Sequence, residues 1–253
     1  MKFKDLYNDL NNRFSIELRC EWDNDGIMCA SDLNKEVKKV LFTLDVTSDA
    51  VEYAINNGFD TIISHHPLVF KSQKSMSSDN YTQKKLISLI KNDIRVMSFH
   101  TRLDASCGGV NDTISDLIGY LKKENDPADP LGRIITLKEK CTLDKFAKEI
   151  KLIFGSECVL FAGKNEVEKV YIVGGDGKDY IENAMAFGAD TLLTGRASYN
   201  TMIDAEDMGI NIVEAGHFYT EAPVCQALEN IVRAIDKNII TEYFYCNKIS
   251  VIK

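Results

Sequence analysis

The chain carries an internal repeat. When residues 40–65 are set against residues 170–195, a shift of 130, Val40/Val170, Asp49/Asp179, Glu52/Glu182, Ala54/Ala184, Gly58/Gly188, Asp60/Asp190 and Thr61/Thr191 are identical pairs. Apolar positions also correspond, as in Ile62/Leu192 and Ile63/Leu193. A supersecondary unit that occurs twice restricts the fold to two related halves. Shared local demands of strand–helix–strand units for glycine and aspartate are the alternative source of the match.

Each copy has the pattern of an α/β unit. Val40 to Val46 is a β-branched run, and Ser48 or Asp49 then caps a helix with apolar positions Ala50, Val51, Ala54 and Ile55. Gly58 stands where a glycine ends that helix. The run Thr61-Ile62-Ile63 stops at Ser64-His65-His66-Pro67, a helical stripe follows at Leu86, Ile87, Leu89 and Ile90, and a third strand runs from Ile94 to Phe99. Further stripes run through Leu143, Phe146, Ala147, Ile150 and Ile153, and through Val224, Ala227, Leu228, Ile231, Val232 and Ile235. This alternation predicts an α/β protein with parallel pairing: two similar α/β halves with mixed sheets, related by the repeat, facing each other so that a site can lie between them. Residues 123–131 hold two of the four prolines among charged residues and read as a linker. The expected domains are therefore 1–126 and 131–253, with the C-terminal strands free to pack back on the first half.

Composition removes several classes. Lys and Arg number 30 against 38 Asp and Glu, a net charge of −8, which argues against a sequence-tolerant nucleic-acid binder. No apolar run approaches the ~18 residues of a membrane span. The charged start Met1-Lys2-Phe3-Lys4-Asp5 predicts no signal peptide. Seven cysteines are scattered without a Cys-x-x-Cys pair, as expected of a reduced, cytoplasmic protein.

The four histidines, His65, His66, His100 and His217, all follow directly on predicted strands. Ligands of open α/β sheets bind beyond the carboxyl ends of strands, where these residues cluster. His100 and His217 are each followed four residues later by an acid, Asp104 and Glu221. Imidazole with carboxylate favours a divalent transition metal over calcium or magnesium, and two such metals suit a hydrolysis. Taken singly, each histidine reads first as a hydrogen-bonded loop residue, Asp104 equally as a turn residue, and Glu221 also as a first-turn acid before Pro223. Gly174-Gly175-Asp176-Gly177-Lys178 lacks the spacing of a Walker or dinucleotide loop and reads as a tight turn or a phosphate cradle. No Gly-x-Ser-x-Gly elbow occurs. Gly108-Gly109 before Val110-Asn111-Asp112 reads as a turn with a helix cap, and Cys107 as a structural thiol.

At these residues the sequence resembles the dinuclear-metal family related to NGG1-interacting factor 3, whose bacterial members are labelled GTP cyclohydrolase I type 2 homologues. The matching segments are Trp22-Asp23-Asn24-Asp25-Gly26, Ser64-His65-His66-Pro67-Leu68, His100-Thr101-Arg102-Leu103-Asp104, Gly108-Gly109-Val110-Asn111-Asp112, and Ala215-Gly216-His217 through Glu221. The resemblance implies two α/β halves with a metal pair between them, a toroidal homohexamer, and a short form without the extra domain of some members. It implies His65, His66, Asp104, His217 and Glu221 as ligands of two divalent ions per subunit (zinc, iron or manganese), with Asp104 or Glu221 bridging. His100 is implied as a proton-transfer or supporting group.

Members often have Asn where Arg102 stands, and a histidine-bearing segment where Thr194-Gly195-Arg196-Ala197-Ser198-Tyr199-Asn200 stands here. Arg102 and Arg196 are expected either to meet an anionic substrate or to form surface salt bridges. The implied activity is metal-dependent hydrolysis of a small anionic nucleotide or heterocycle, in the specific case opening of the GTP purine at C8 with release of formate. The alternatives are a metal-binding regulatory or scaffold protein without turnover, and metal-assisted phosphoester cleavage. No membrane or nucleic-acid partner is expected.

Overall fold

The computed structural model describes residues 1–164 and 166–252. The chain forms α1 (Phe3–Arg13), β1 (Gly26–Cys29), β2 (Lys39–Thr43), α2 (Ser48–Asn56), β3 (Thr61–Ser64), α3 (Tyr81–Lys91), β4 (Arg95–Ser98) and α4 (Thr101–Ala105). It continues through α5 (Val110–Ile118), β5 (Lys122–Asn125), β6 (Arg133–Thr142), α6 (Leu143–Phe154), β7 (Leu160–Ala162), β8 (Glu166–Asp176), α7 (Ile181–Ala186) and β9 (Thr191–Arg196). The remaining elements are α8 (Tyr199–Met208), β10 (Asn211–Glu214), α9 (His217–Glu221), α10 (Pro223–Ile235) and β11 (Ile240–Tyr243). Two compact units result: Met1–Leu103 with Val224–Cys246, and Asp104–Pro223 with the residues from Asn247 onward.

The first unit has a five-stranded sheet in the order β1-β4-β3-β2-β11, parallel except for β1. The second has six strands in the order β5-β6-β8-β9-β10-β7, with β8, β9 and β10 parallel to one another and the β5–β6, β6–β8 and β10–β7 pairings antiparallel. Both sheets are mixed, as the sequence predicts. Within them, β1-β4-β3-β2 and β7-β10-β9-β8 share one order and one set of pairing directions. Leu41, Ile62, Val96 and Leu89 belong to the core of the first unit, and Tyr171, Leu192, Ile212 and Ala205 to that of the second.

The repeat extends to individual hydrogen bonds. Val40 pairs with Thr61 and Val170 with Thr191, the same register displaced by 130. Asp60 accepts the N–H groups of Lys38 and Lys39 at 2.8 and 2.9 Å, and Asp190 accepts those of Glu168 and Lys169 at 2.9 and 2.8 Å. Gly58 and Gly188 both have a left-handed backbone, φ +68° and +65°, immediately past α2 and α7. The next N–H then bonds back to Ala54 in one copy and Ala184 in the other, both at 2.9 Å. At the helix start Thr47, one residue before the expected cap, accepts from the Ala50 N–H.

Residues 123–131 do not join the two units. β5 pairs with β6 in one hairpin of the second unit, and the segment forms its turn. Asp126 fixes that turn: its carboxylate accepts from the Ala128 and Asp129 N–H groups and from the Tyr171 hydroxyl. Burial, reinforced by this carboxylate, holds the Tyr171 phenol protonated well above its ordinary range. The units instead divide at Leu103/Asp104. The C-terminal strand β11 pairs with β2 in the first sheet.

Near the start of the second unit, Asp112 accepts from the Gly108 N–H at 2.7 Å and from Arg133 Nε at 2.8 Å. Arg133 is buried, and its remaining donors go to the carbonyls of Pro130, Gly132, Ala105 and Ser106. Burial pushes the Asp112 carboxyl up, but the Gly108 N–H and the guanidinium outweigh this and hold it below its ordinary 3.8. Because the folded value is depressed, this group's stabilisation is complete above the unfolded value and is lost as pH falls through the folded one. Asp112→Asn should therefore show a shallower fall in urea-unfolding free energy below about pH 4 than the unsubstituted protein. Arg133→Ala, which leaves the buried carboxylate with only the Gly108 N–H and the Lys123 ammonium at 3.3 Å, should cost about 1–3 kcal/mol at neutral pH in the same assay.

Candidate metal site

In the first sheet Thr61 pairs with Arg95 and Ser64 with Ser98, so parallel β3 and β4 end level. His65 and His66 leave β3 beside His100 leaving β4. The three rings lie 4.9, 5.2 and 5.6 Å apart between centroids, and one ligand atom from each lies within 4.8 Å of the others. His65 is buried, and the other two are half-buried.

Each ring is fixed through Nδ1. His65 Nδ1 lies 2.9 Å from the Phe99 carbonyl, an acceptor only, so Nδ1 carries the hydrogen and the neutral ring has its lone pair on Nε2. His66 Nδ1 meets Asp45 and His100 Nδ1 meets Asp23, each at 2.8 Å. An oxygen acceptor at Nδ1 is the arrangement that orients metal-binding histidines. Asp23 also accepts from the Thr101 N–H and hydroxyl. Burial raises its carboxyl, but the hydrogen bonds from His100 and Thr101 prevail and bring it down to about 2. It is thus ionised throughout the working range.

In the second unit, α9 presents His217 and Glu221 one turn apart, with Nε2 and Oε2 2.9 Å from each other. Glu221 is buried at the end of α9, rather than opening the helix at Pro223. Register pairs β4 from Arg95 and β10 from Asn211 with equivalent threonines, so His100 corresponds to Gly216, and His217 stands one residue further on. The two histidine-plus-acid motifs are therefore not strict copies.

Gly175, at φ +65°, lets the β8 backbone pass against this pair: a Cβ there would collide with Glu221 Oε1 and reach His217 Cε1 at 3.5 Å. Gly195 performs the same service for Thr220 and the α9 backbone. The glycine run 174–177 does not offer its N–H groups to a phosphate. Gly174 donates to Asn111 Oδ1, Gly175 to Thr220 Oγ1 and Gly177 to Thr194 Oγ1, at 2.7, 3.2 and 2.9 Å. Asn111 is buried and also donates to the carbonyls of Asp104 and Leu131, tying α5 to α4. It is a hub, not the cap of α5, whose N-cap is Gly109. Asp104 itself is half-buried on α4.

Arg102 does not meet a substrate. It is fully buried and donates to Asp25, Asn11 and the Phe14 carbonyl, with its guanidinium over the Phe99 ring. Arg196 is exposed at the end of β9. After it, Ala197 donates to Glu214 and Ser198 caps α8, so this stretch is a strand-to-helix turn. Cys107 is exposed. Sequence reasoning gave no role to Asp23, Asp45, Thr220 and Gly195, and read Gly175 only as part of a tight turn or phosphate cradle. Asp23 lies in a segment already singled out, whereas Asp45 carries no local signal.

Within the first unit the three imidazoles, clustered and each held through Nδ1, fit a divalent transition metal. Gly175→Ala is expected to lose more stability in thermal melts than Gly155→Ala, which has a similar φ of +64° but no atom of the described residues within 4 Å of its Cβ. The control should show only the backbone cost of about 1 kcal/mol, and the excess measures the displacement of Glu221.

Comparison with known proteins agrees with these features. The family model of Duf34/NIF3 (NGG1p interacting factor 3) matches residues 1–248. The Clostridium perfringens protein named GTP cyclohydrolase 1 type 2 homolog is 34% identical over 94% of each chain. The Schizosaccharomyces pombe protein named NIF3 homolog is 28% identical over 90% of each. The crystal structure of Staphylococcus aureus protein SA1388 superposes with a TM-score of 0.90 at 27% identity, covering 100% of this chain and 99% of that one. Reduced HcgD from Methanocaldococcus jannaschii gives 0.83 at 26%, covering 96% and 97%. The chain belongs to the Duf34/NIF3 family.

Proposed function

We propose that this protein is a divalent-metal-dependent hydrolase of a nucleotide or related heterocycle, with ring opening of GTP as the specific reaction to test. The observation that carries the reading is the set of imidazoles held through Nδ1 at the ends of β3 and β4. His65, His66, Asp104, His217 and Glu221 are the residues that would hold two divalent ions of zinc, iron or manganese. A divalent cation in such a donor set supplies Lewis acidity, which polarises a substrate oxygen and acidifies water.

The chain's own residues divide the remaining work. Asp23 holds the His100 ring by Nδ1 and leaves Nε2 as the atom that accepts or delivers a proton. Asp45 does the orienting for His66, and the Phe99 carbonyl for His65. Gly175 keeps Glu221 in place. We further propose a homohexameric ring, to be checked by light scattering.

Two measurements test the reading. Elemental analysis of untagged Asp104→Ala and Glu221→Ala proteins should give less than about half the metal content of the unsubstituted protein, since loss of supporting and ligating groups weakens metal sites at least tenfold. Unchanged stoichiometry would remove the ligand assignment. Protein loaded in turn with zinc, manganese and iron should convert GTP to formate and dihydroneopterin triphosphate, and Glu221→Gln should not. GTP recovered intact with every metal, at verified occupancy, would overturn the GTP reading in favour of another substrate or a scaffold role.

A further inference from the structure

Trp22 is the single tryptophan of the chain, and its side chain is 64% exposed. Phe70, at 46% exposure, stands against it with ring centroids 6.1 Å apart and planes at 57°. Both rings reach the His100 imidazole edge-on, at 6.0 and 6.3 Å. Two large aromatic faces are thus left in solvent beside the group assigned to proton transfer.

The backbone beneath them is firmly held. Asp23 accepts from His100 and Thr101, and Asp25 accepts from the His100 N–H and from Arg102. The Asn24 side-chain amide donates to the Val69 carbonyl, which joins the Trp22 loop to the Phe70 loop. Asp23 and Asp25 are therefore anchored inward and the exposed Asn24 is tied to the neighbouring loop, while the Trp22 ring is turned outward. A ligand that stacks there loses little free energy to ordering the protein.

We propose that Trp22 and Phe70 form a stacking platform for a planar heteroaromatic ring and hold that ring next to His100. The flat faces suit a π-system, and stacking tolerates any base while the neighbouring polar groups select among them. The proposal rests on the nucleotide reading above and names the protein groups that would bind the ring.

Because Trp22 is the only indole, its emission reports on this place alone. Unsubstituted protein, first in chelator and then loaded with zinc, is titrated with guanosine monophosphate, adenosine monophosphate and ribose 5-phosphate. Both nucleotides should quench Trp22 saturably, and ribose 5-phosphate should not. Phe70→Ala should raise the half-saturating concentration about fivefold or more, the loss expected for a missing stacking partner, and Phe70→Tyr should restore it. The proposal is overturned by equal quenching from ribose 5-phosphate, by no saturable quenching from either nucleotide, or by a Phe70→Ala curve that overlays the original. It also fails if acrylamide cannot reach Trp22 in the ligand-free protein, since the ring is then covered by another copy of the chain. GTP titrated in the same way, with formate release measured on those samples, separates the two readings. Quenching without turnover leaves the platform standing and removes the GTP reaction, and turnover without quenching does the reverse.

Discussion

The fold depends on one interaction used twice: a carboxylate at the head of a parallel strand that accepts two main-chain N–H groups from the strand beside it. Asp60 does this for β2 and β3, and Asp190 for β8 and β9. Charge-assisted bonds of this kind are stronger than neutral ones, and a pair on one oxygen fixes register as well as energy. Register matters here because parallel strands that start level also end level. On the other side of β3, Asp60 pairs with Arg95 at the head of β4, so the histidines of β3 and β4 leave the sheet together.

The candidate site is built mostly by residues that would touch neither metal nor substrate. A histidine becomes a defined ligand only when its other nitrogen is committed, and Phe99, Asp45 and Asp23 supply those commitments. Glu221 keeps its place because Gly175 has no Cβ. Arg102, with its charge buried against Asp25, braces the loop that carries Trp22 and Asp23. That explains why an arginine in a metal-site motif faces the interior.

Legibility from the sequence followed the range of the interactions. The helices with clear stripes, α6 and α10, and the strands β3 and β4 stood in the residue pattern because burial of one face imposes a period. The repeat was visible because Asp60, Gly58 and their partners answer the same local demands in both copies. The segment 123–131 misled, since prolines among charges describe a tight hairpin turn as well as a linker. Whether Asp126 meets Tyr171 is set by residues far apart in the chain.

By itself the sequence determined an α/β chain with a duplicated strand–helix–strand unit and histidines at strand ends. Hydrophobic period, left-handed glycines and strand termination are properties of a few neighbouring residues. Only the tertiary structure decided which Nδ1 acceptor each histidine has, that the glycine run spends its N–H groups internally, and that β11 joins the first sheet. It also decided that Trp22 and Phe70 stand together beside His100. These outcomes join residues tens to hundreds of positions apart, and a hydrogen bond or ring contact at that range leaves no periodic trace in the chain.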